Sequence, residues 1–298
     1  MSAAAAGCVS VQVPATSANL GPGFDCFGLA HDIRDTLTAH VHPGDLVIEV
    51  SGEGADEVPR DERHLVWRAM VATFAELGVT PPGVRLTCIN RIPHARGMGS
   101  SSAAIVGGIA LARALSEPTM SEAQALDLAN RLEGHPDNVA PAQLGGFTVA
   151  ALDDGQVVVA RLDLNPEIAA VLFVPPTPLS TEVARGLLPS QVSHADATAN
   201  TGRAALLVAA LTQRPDLLFP ATADWLHQQQ RRPAMPESLA LIDELRAELI
   251  AATVSGAGPT VLALAPLGEV AAIAARVPTG WSAYTPQSGC PGVQVTVC

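Results

Sequence analysis

The chain has 298 residues, enough for two modest domains with separate cores. Hydrophobic residues supply 48% of it and aromatic residues only 3%, so the core of this soluble chain must be built from Ala, Val, Leu and Ile. With 29 acidic residues against 17 basic ones the net charge is −12, which disfavours binding to a nucleic-acid backbone. Every basic residue is arginine. The absence of lysine excludes a Walker-A loop, a Schiff-base enzyme, a protein kinase and a Ser-x-x-Lys hydrolase. HExxH and GxSxG are absent as well.

The opening MSAAAAGCVSVQVPA has no basic segment followed by an apolar one, so no signal peptide is expected. No apolar run reaches the roughly 18 residues of a membrane span, and a cytoplasmic location is expected. Residues 8–14 alternate as a strand that stops at Pro14. The turn ATSANLGPGFD follows, then strands over 35–42 and 45–52 and a charged loop over 53–63. The spacing of Leu65, Val66, Ala69, Met70, Thr73 and Leu77 predicts a helix over 62–77. A strand over 84–92 feeds the loop RIPHARGMGSSS, and a helix over 103–115 leaves it. Gly107 and Gly108 inside that helix cost about 1 kcal/mol each relative to alanine, which points to close packing against a sheet.

A second helix starts at the cap Ser121 and ends near Gly134. Residues 145–152 and 156–164 form a strand pair, and 168–175 a buried strand. Helices are expected around 181–188, 195–212, 221–229 and 237–249. The stretch TVSGAGPTVLALAP reads as strand, tight turn, strand; a helix over 268–277 and strands over 280–285 and 292–297 come last. A soft boundary divides the chain into 1–160 and 161–298. Five cysteines (Cys8, Cys26, Cys88, Cys290, Cys298) without metal spacing are expected to be free thiols.

Three segments carry chemistry. In RIPHARGMGSSSAA, a glycine-rich turn entering a helix exposes backbone N–H groups at the positive end of the helix dipole. A serine there can ligate Mg²⁺, although such loops also serve as plain helix caps. PATSANLGPGFD packs Asn19, Gly21, Gly23 and Asp25 into one turn, which suits an ammonium and a hydroxyl together or is simply a capped turn. SGAGPT, residues 255–260, is a backbone-rich turn between strands.

Taken in this order, the three segments resemble the signature set of the GHMP small-molecule kinases, and SANLGPGFD resembles the branch acting on homoserine. EGHPDNVAP and LHQQQRRPAMP extend the likeness. The resemblance implies a two-domain α+β fold: an N-terminal domain with a left-handed β-α-β crossover and a C-terminal ferredoxin-like domain. It implies ATP-dependent phosphorylation of L-homoserine in threonine biosynthesis, with Mg²⁺, by a homodimer. A kinase of another small alcohol such as mevalonate, or a sensor without catalysis, are the alternatives.

By the same resemblance Pro93, His94, Ala95, Arg96, Gly97, Met98, Gly99, Ser100, Ser101, Ser102 and Ala103 wrap the ATP phosphates, with Gly256 and Gly258 closing the nucleotide site. Ser101 and Glu133 hold Mg²⁺. His64 stands near the adenine, where the family more often has Asn. Asn19 and Asp25 hold the amino group and orient the hydroxyl, Arg185 and Arg231 clamp the carboxylate, and Thr181 is a nearby polar contact. Asn138 stands where other branches place a catalytic aspartate. Either no strong base acts or the adjacent Asp137 does. His31 replaces a usually apolar residue.

Overall fold

The computed structural model describes residues 7–116 and 120–298; the opening MSAAAA, expected to carry no leader, lies outside them. Cys8–Ala18 (β1) and Phe27–Val41 (β2) form a long antiparallel pair. β1 does not stop at Pro14. A register shift between Pro14 and Ala15 accommodates the missing proline N–H, and the strand runs on to Ala18 inside the first motif. β2 starts earlier than alternation suggested, because Phe27 to His31 are all buried and do not alternate.

Val47–Gly52 (β3), Leu65–Glu76 (α1) and Val84–Asn90 (β4) make a β-α-β unit with β3 and β4 parallel. The hairpin of Phe147–Asp153 (β5) and Gln156–Leu162 (β6) joins β2 through Phe27 to Leu29. Ser100–Leu115 (α2), Glu122–Glu133 (α3) and Pro136–Leu144 (α4) pack with this sheet. Gly107 lies so close to the sheet that a Cβ there would fall 2.3 Å from Leu37 Cδ1. Gly108 instead abuts α1, with its Cβ position 2.4 Å from the Val66 carbonyl. The two glycines therefore serve two different packings.

The second sheet has the antiparallel order β10-β7-β9-β8, from Ile168–Val174 (β7), Ala251–Val254 (β8), Val261–Pro266 (β9) and Ser282–Tyr284 (β10). Numbered within this sheet that is 4-1-3-2, the ferredoxin-like arrangement. Its connections hold Thr181–Gly186 (α5), His194–Thr212 (α6), Leu218–Ala221 (α7), Pro236–Ala247 (α8) and Val270–Ala274 (α9). The helix expected over 221–229 does not form. The Asp224 carboxylate takes the N–H groups of Leu226, His227 and Gln228 at 2.9, 3.0 and 2.8 Å, fixing a turn instead.

Gln294–Val297 (β11) does not join the second sheet. It crosses back and pairs antiparallel with β1. Cys8 and Cys298 consequently meet, with Cα atoms 5.2 Å apart, and form a disulfide. That corrects the expectation of five free thiols; Cys26, Cys88 and Cys290 are free. A pair separated by 290 residues leaves no local trace in the sequence.

Candidate active site

The segment 93–103 folds as a loop that ends on α2. Gly97 and Gly99 have φ of 74° and 73°, the left-handed region where glycine is unstrained. Gly99 is the N-cap of α2, so the first turn of that helix opens onto the loop. Backbone contacts hold it from several sides. Thr16 N–H donates to Met98 O at 3.0 Å, Leu179 N–H to Ala95 O at 2.9 Å and Thr260 N–H to Arg96 O at 3.2 Å.

Glu133, at the end of α3, reaches the start of α2. Ser101 and Ser102 each donate a hydroxyl to one of its oxygens, both at 2.8 Å. Ser102 is buried and holds the carboxylate in place, whereas Ser101 and Glu133 both line the cleft. A hydroxyl beside a carboxylate is a set of hard oxygen donors, so these residues fit a divalent cation such as Mg²⁺.

The first and third motifs interlock beside the loop. Asn19 has φ of 67°, donates its amide to Gly256 O at 2.8 Å, and accepts the Asp25 N–H on Oδ1 at 2.9 Å. Asp25 receives both ends of the Arg185 guanidinium, at 2.6 and 3.1 Å. That hydrogen bond, more than the opposing burial, raises the Arg185 pKa. Arg231 is only 1% exposed and donates to Ala184 O, Gly256 O and His227 Nδ1. Burial and the charge of Arg185 lower its pKa, while Asp25, Asp224 and Asp137 oppose them. Both guanidiniums lie over the Phe24 ring, at 5.7 and 5.6 Å from its centre.

His227 must be neutral at Nδ1 to accept from Arg231, so its Nε2 carries the proton and donates to Gly21 O at 2.8 Å. On the opposite wall His135 contacts Asp137 at 2.5 Å, and Asn138 accepts the Thr16 hydroxyl at 2.8 Å. Burial resists protonation of His135, but the hydrogen bond and charge of Asp137, with Glu133 behind them, prevail and raise its pKa. Ligand atoms of Asp25, His135 and Asp137 lie within 4.8 Å of one another.

These groups enclose a cleft of about 260 Å³. Of the sequence-derived candidates it brings together Asn19, Asp25, Ala95, Gly97, Gly99, Ser100, Ser101, Glu133, Asp137, Asn138, Thr181, Arg185, Arg231 and Gly256. Others stand back. Pro93, Met98, Ser102 and Ala103 are buried beneath the loop, and Gly258 is packed against Met235. Arg96 turns away and anchors the loop, donating to the carbonyls of His94, Pro175 and Pro176. A neighbouring cavity of about 410 Å³ shares Ala95, Ser100 and Ser101 and is lined by His64, His94 and Asp35. His64 is buried there with Nδ1 unpartnered among the described residues. Asp35 accepts the N–H groups of Arg91 and Ile92 at 2.6 and 2.9 Å.

Sequence reasoning missed His135, Asp35 and Ala257. His135 lies within EGHPDN, where an imidazole two positions from a carboxylate on either side was the available signal. Asp35 sits in an ordinary strand and gave none.

Comparison with known proteins places the chain in a family. Residues 64–146 match the GHMP kinases N terminal domain and residues 203–283 the GHMP kinases C terminal domain. The homoserine kinase of Streptomyces coelicolor is 52% identical over 281 residues, covering 93% of this chain and 91% of that one. That of Cutibacterium acnes is 50% identical over 86% of this chain and 88% of its own. The crystal structure of homoserine kinase from Cytophaga hutchinsonii superposes with a TM-score of 0.86 at 25% identity, over 99% of both chains. Mevalonate diphosphate decarboxylase from Staphylococcus aureus shares the fold, with a TM-score of 0.70 at 13% identity over 97% of this chain and 98% of its own. Two domain matches and half-identical relatives along most of its length place the chain in the GHMP kinases, within the homoserine kinase family.

Proposed function

We propose that this chain transfers the γ-phosphoryl group of ATP to the side-chain hydroxyl of L-homoserine, giving O-phospho-L-homoserine for threonine biosynthesis. The observation that carries this reading is one cleft holding an amide-rich loop beside two guanidiniums and three carboxylates. Homoserine is a zwitterion with a terminal hydroxyl. Arg185 and Arg231 suit its α-carboxylate, because the planar guanidinium fork matches a carboxylate. Asp25 and Asp137, with the Asn19 carboxamide, suit its ammonium. An alcohol without an ammonium, such as mevalonate, leaves those carboxylates uncompensated.

The triphosphate of ATP rests on the N–H groups of loop 93–103 and the N-terminus of α2, and its adenine enters the cavity lined by His64. Ser101 and Glu133 hold Mg²⁺, which when bound offsets the negative charge of the phosphates. Positioning dominates phosphoryl transfer. Asn138 has no titratable proton, and Asp137 is already engaged by His135. Asn19 and Asn138 therefore orient the acceptor hydroxyl, whose proton leaves to phosphate oxygen or water. The intracellular donor ATP supports a cytoplasmic site of action, and the family resemblance supports a homodimer, which sedimentation would test.

ADP release should be measured against homoserine, mevalonate, shikimate and galactose. Homoserine alone should stimulate it. The proposal is wrong if homoserine releases no more ADP than buffer while another alcohol does.

A further inference from the structure

We infer that His31 is a positioning residue for nucleotide binding, setting the direction of a buried hydrogen-bond chain from Ser288 to the Gly97 carbonyl of the phosphate loop. The inference rests on the proposed role of that loop. His31 is fully enclosed. Its Nδ1 lies 2.9 Å from Ser288 Oγ and its Nε2 2.8 Å from Ser17 Oγ. Ser17 Oγ is 2.7 Å from Ser255 Oγ, which is 2.6 Å from Gly97 O.

One end of this chain fixes all the rest. A carbonyl only accepts, so the single hydroxyl proton of Ser255 goes to Gly97 O. Ser17 must then donate to Ser255, and the proton Ser17 has given away leaves its oxygen free only to accept. His31 supplies what it accepts, from Nε2–H. The other nitrogen, Nδ1, is then bare and takes the Ser288 hydroxyl. The chain thus has one self-consistent direction with a neutral imidazole, and burial without a charged partner favours the neutral ring.

The consequence falls on the loop. Drawing Gly97 O toward Ser255 orients the Gly97–Met98 peptide plane, and a trans peptide sends the Met98 N–H the opposite way. That N–H has no partner among the described residues, and the glycines on either side of it, Gly97 and Gly99, line the cleft, so the setting of this peptide shapes the loop's ligand-facing stretch. The space is tight, since a Cβ on Gly97 would fall 2.3 Å from Ser255 O. The far end is equally fixed: Asp32 N–H donates to Gln287 O at 2.9 Å and Gly289 N–H to Ala30 O at 2.8 Å. Segment 287–289, remote from the cleft, is thereby coupled to the nucleotide site through His31. An apolar residue at 31 cannot donate. Ser17 would be free to turn its proton away from Ser255, and the hold on Gly97 O would slacken.

The test uses the full chain with Mg²⁺ and compares His31→Leu with His31→Gln, whose amide can donate to Ser17 and accept from Ser288. Kd for a non-hydrolysable ATP analogue, both KM values and Tm are read. His31→Leu should weaken the analogue about tenfold, the worth of one well-placed hydrogen bond, with the homoserine KM within about twofold. His31→Gln should recover most of the loss. Ser17→Ala, a smaller change that cuts the next link, should reproduce the ATP-specific effect if His31→Leu fails to fold. The inference is overturned if Ser17→Ala and any folded His31→Leu bind the analogue like the wild type, if both substrates weaken alike, or if His31→Gln is no better than His31→Leu. Failure of the unaltered chain to bind the analogue would overturn the reading of the loop itself, whereas normal turnover with no ATP-specific change in the variants would overturn only the role of His31.

Discussion

Arg185 closes on Asp25 through two charge-assisted hydrogen bonds, NH2 to Oδ1 at 2.6 Å and NH1 to Oδ2 at 3.1 Å. The groups assigned to opposite ends of homoserine thus satisfy each other. On the proposed roles, binding a zwitterion would be an exchange of partners, its carboxylate taking the guanidinium while its ammonium takes the acid. Replacing Arg185 by Met should raise the homoserine KM about 10- to 100-fold, the worth of hydrogen bonds to a charged group, with the ATP KM within about twofold. Steady-state kinetics with each substrate varied checks this. Equal weakening of both would place the guanidinium elsewhere. Arg231 is a poorer probe, because its loss also strands the Ala184 and Gly256 carbonyls and His227.

Ser102 does not line the cleft, yet it fixes one oxygen of Glu133 while Ser101 takes the other. Partners behind a metal ligand commonly tune its affinity by about 10- to 100-fold. Ser102→Ala should therefore raise the Mg²⁺ concentration for half-maximal rate about tenfold and leave the homoserine KM unchanged. An unchanged Mg²⁺ titration would remove Glu133 from the metal site.

Gly99 has no room for a side chain. An added Cβ would fall 2.0 Å from Thr16 Oγ1, the hydroxyl that donates to Asn138, at a φ of 73°. The left-handed backbone costs a non-glycine residue about 1–2 kcal/mol. Gly99→Ala should thus lower kcat/KM at least tenfold through the displaced Thr16–Asn138 pair, with a modest loss of Tm. Wild-type kinetics in this variant would show that Asn138 needs no such support.

His31 also makes stability depend on pH. Burial lowers its pKa to about 3 from an unfolded value near 6.5. Between these values the unfolded chain binds a proton that the folded chain does not, so the contribution is complete above pH 6.5 and is lost as pH falls toward 3. The slope for one proton is about 1.4 kcal/mol per pH unit. Urea titrations between pH 6 and 4.5 should show His31→Gln losing stability less steeply than the wild type by about that amount. Parallel curves would mean that the ring is already charged in the folded protein.

Thiol counting tests the link between β1 and β11. Denatured, unreduced protein should yield three reactive thiols, and five after reduction, since Cys8 is bonded to Cys298. In the folded state labelling should be slow. Burial pushes the thiol of Cys88 up to about 12 and that of Cys290 to about 11, and raises that of Cys26, leaving little thiolate. Five thiols without reductant would remove the disulfide.

What the sequence disclosed was largely what is decided locally. The loop at 97 and 99 was legible because left-handed turns demand glycine there, and α3 because Ser121 and Gln124 make a capping box at its start. α4 was not: Pro136 suits a first helical position, but Pro141 inside so short a helix argues against one, and packing overrides it. The extension of β1 past Pro14 was hidden for a related reason, since only the partner strand shows where the bulge falls. Individual candidate residues were named through the family resemblance, whereas their couplings were not. Asp25 and Arg185 lie 160 positions apart, and nothing near either residue announces the other.

β1 lies between β2 and β11 in the first sheet, and it leads directly into the turn that carries Asn19 and Asp25. Domains emerging from the ribosome generally fold in order of synthesis. Here one flank of the earliest strand stays open until residues 294–297 have been translated. A chain cut off before residue 294 would therefore leave that edge of β1 without its partner strand, next to the turn that carries Asn19 and Asp25.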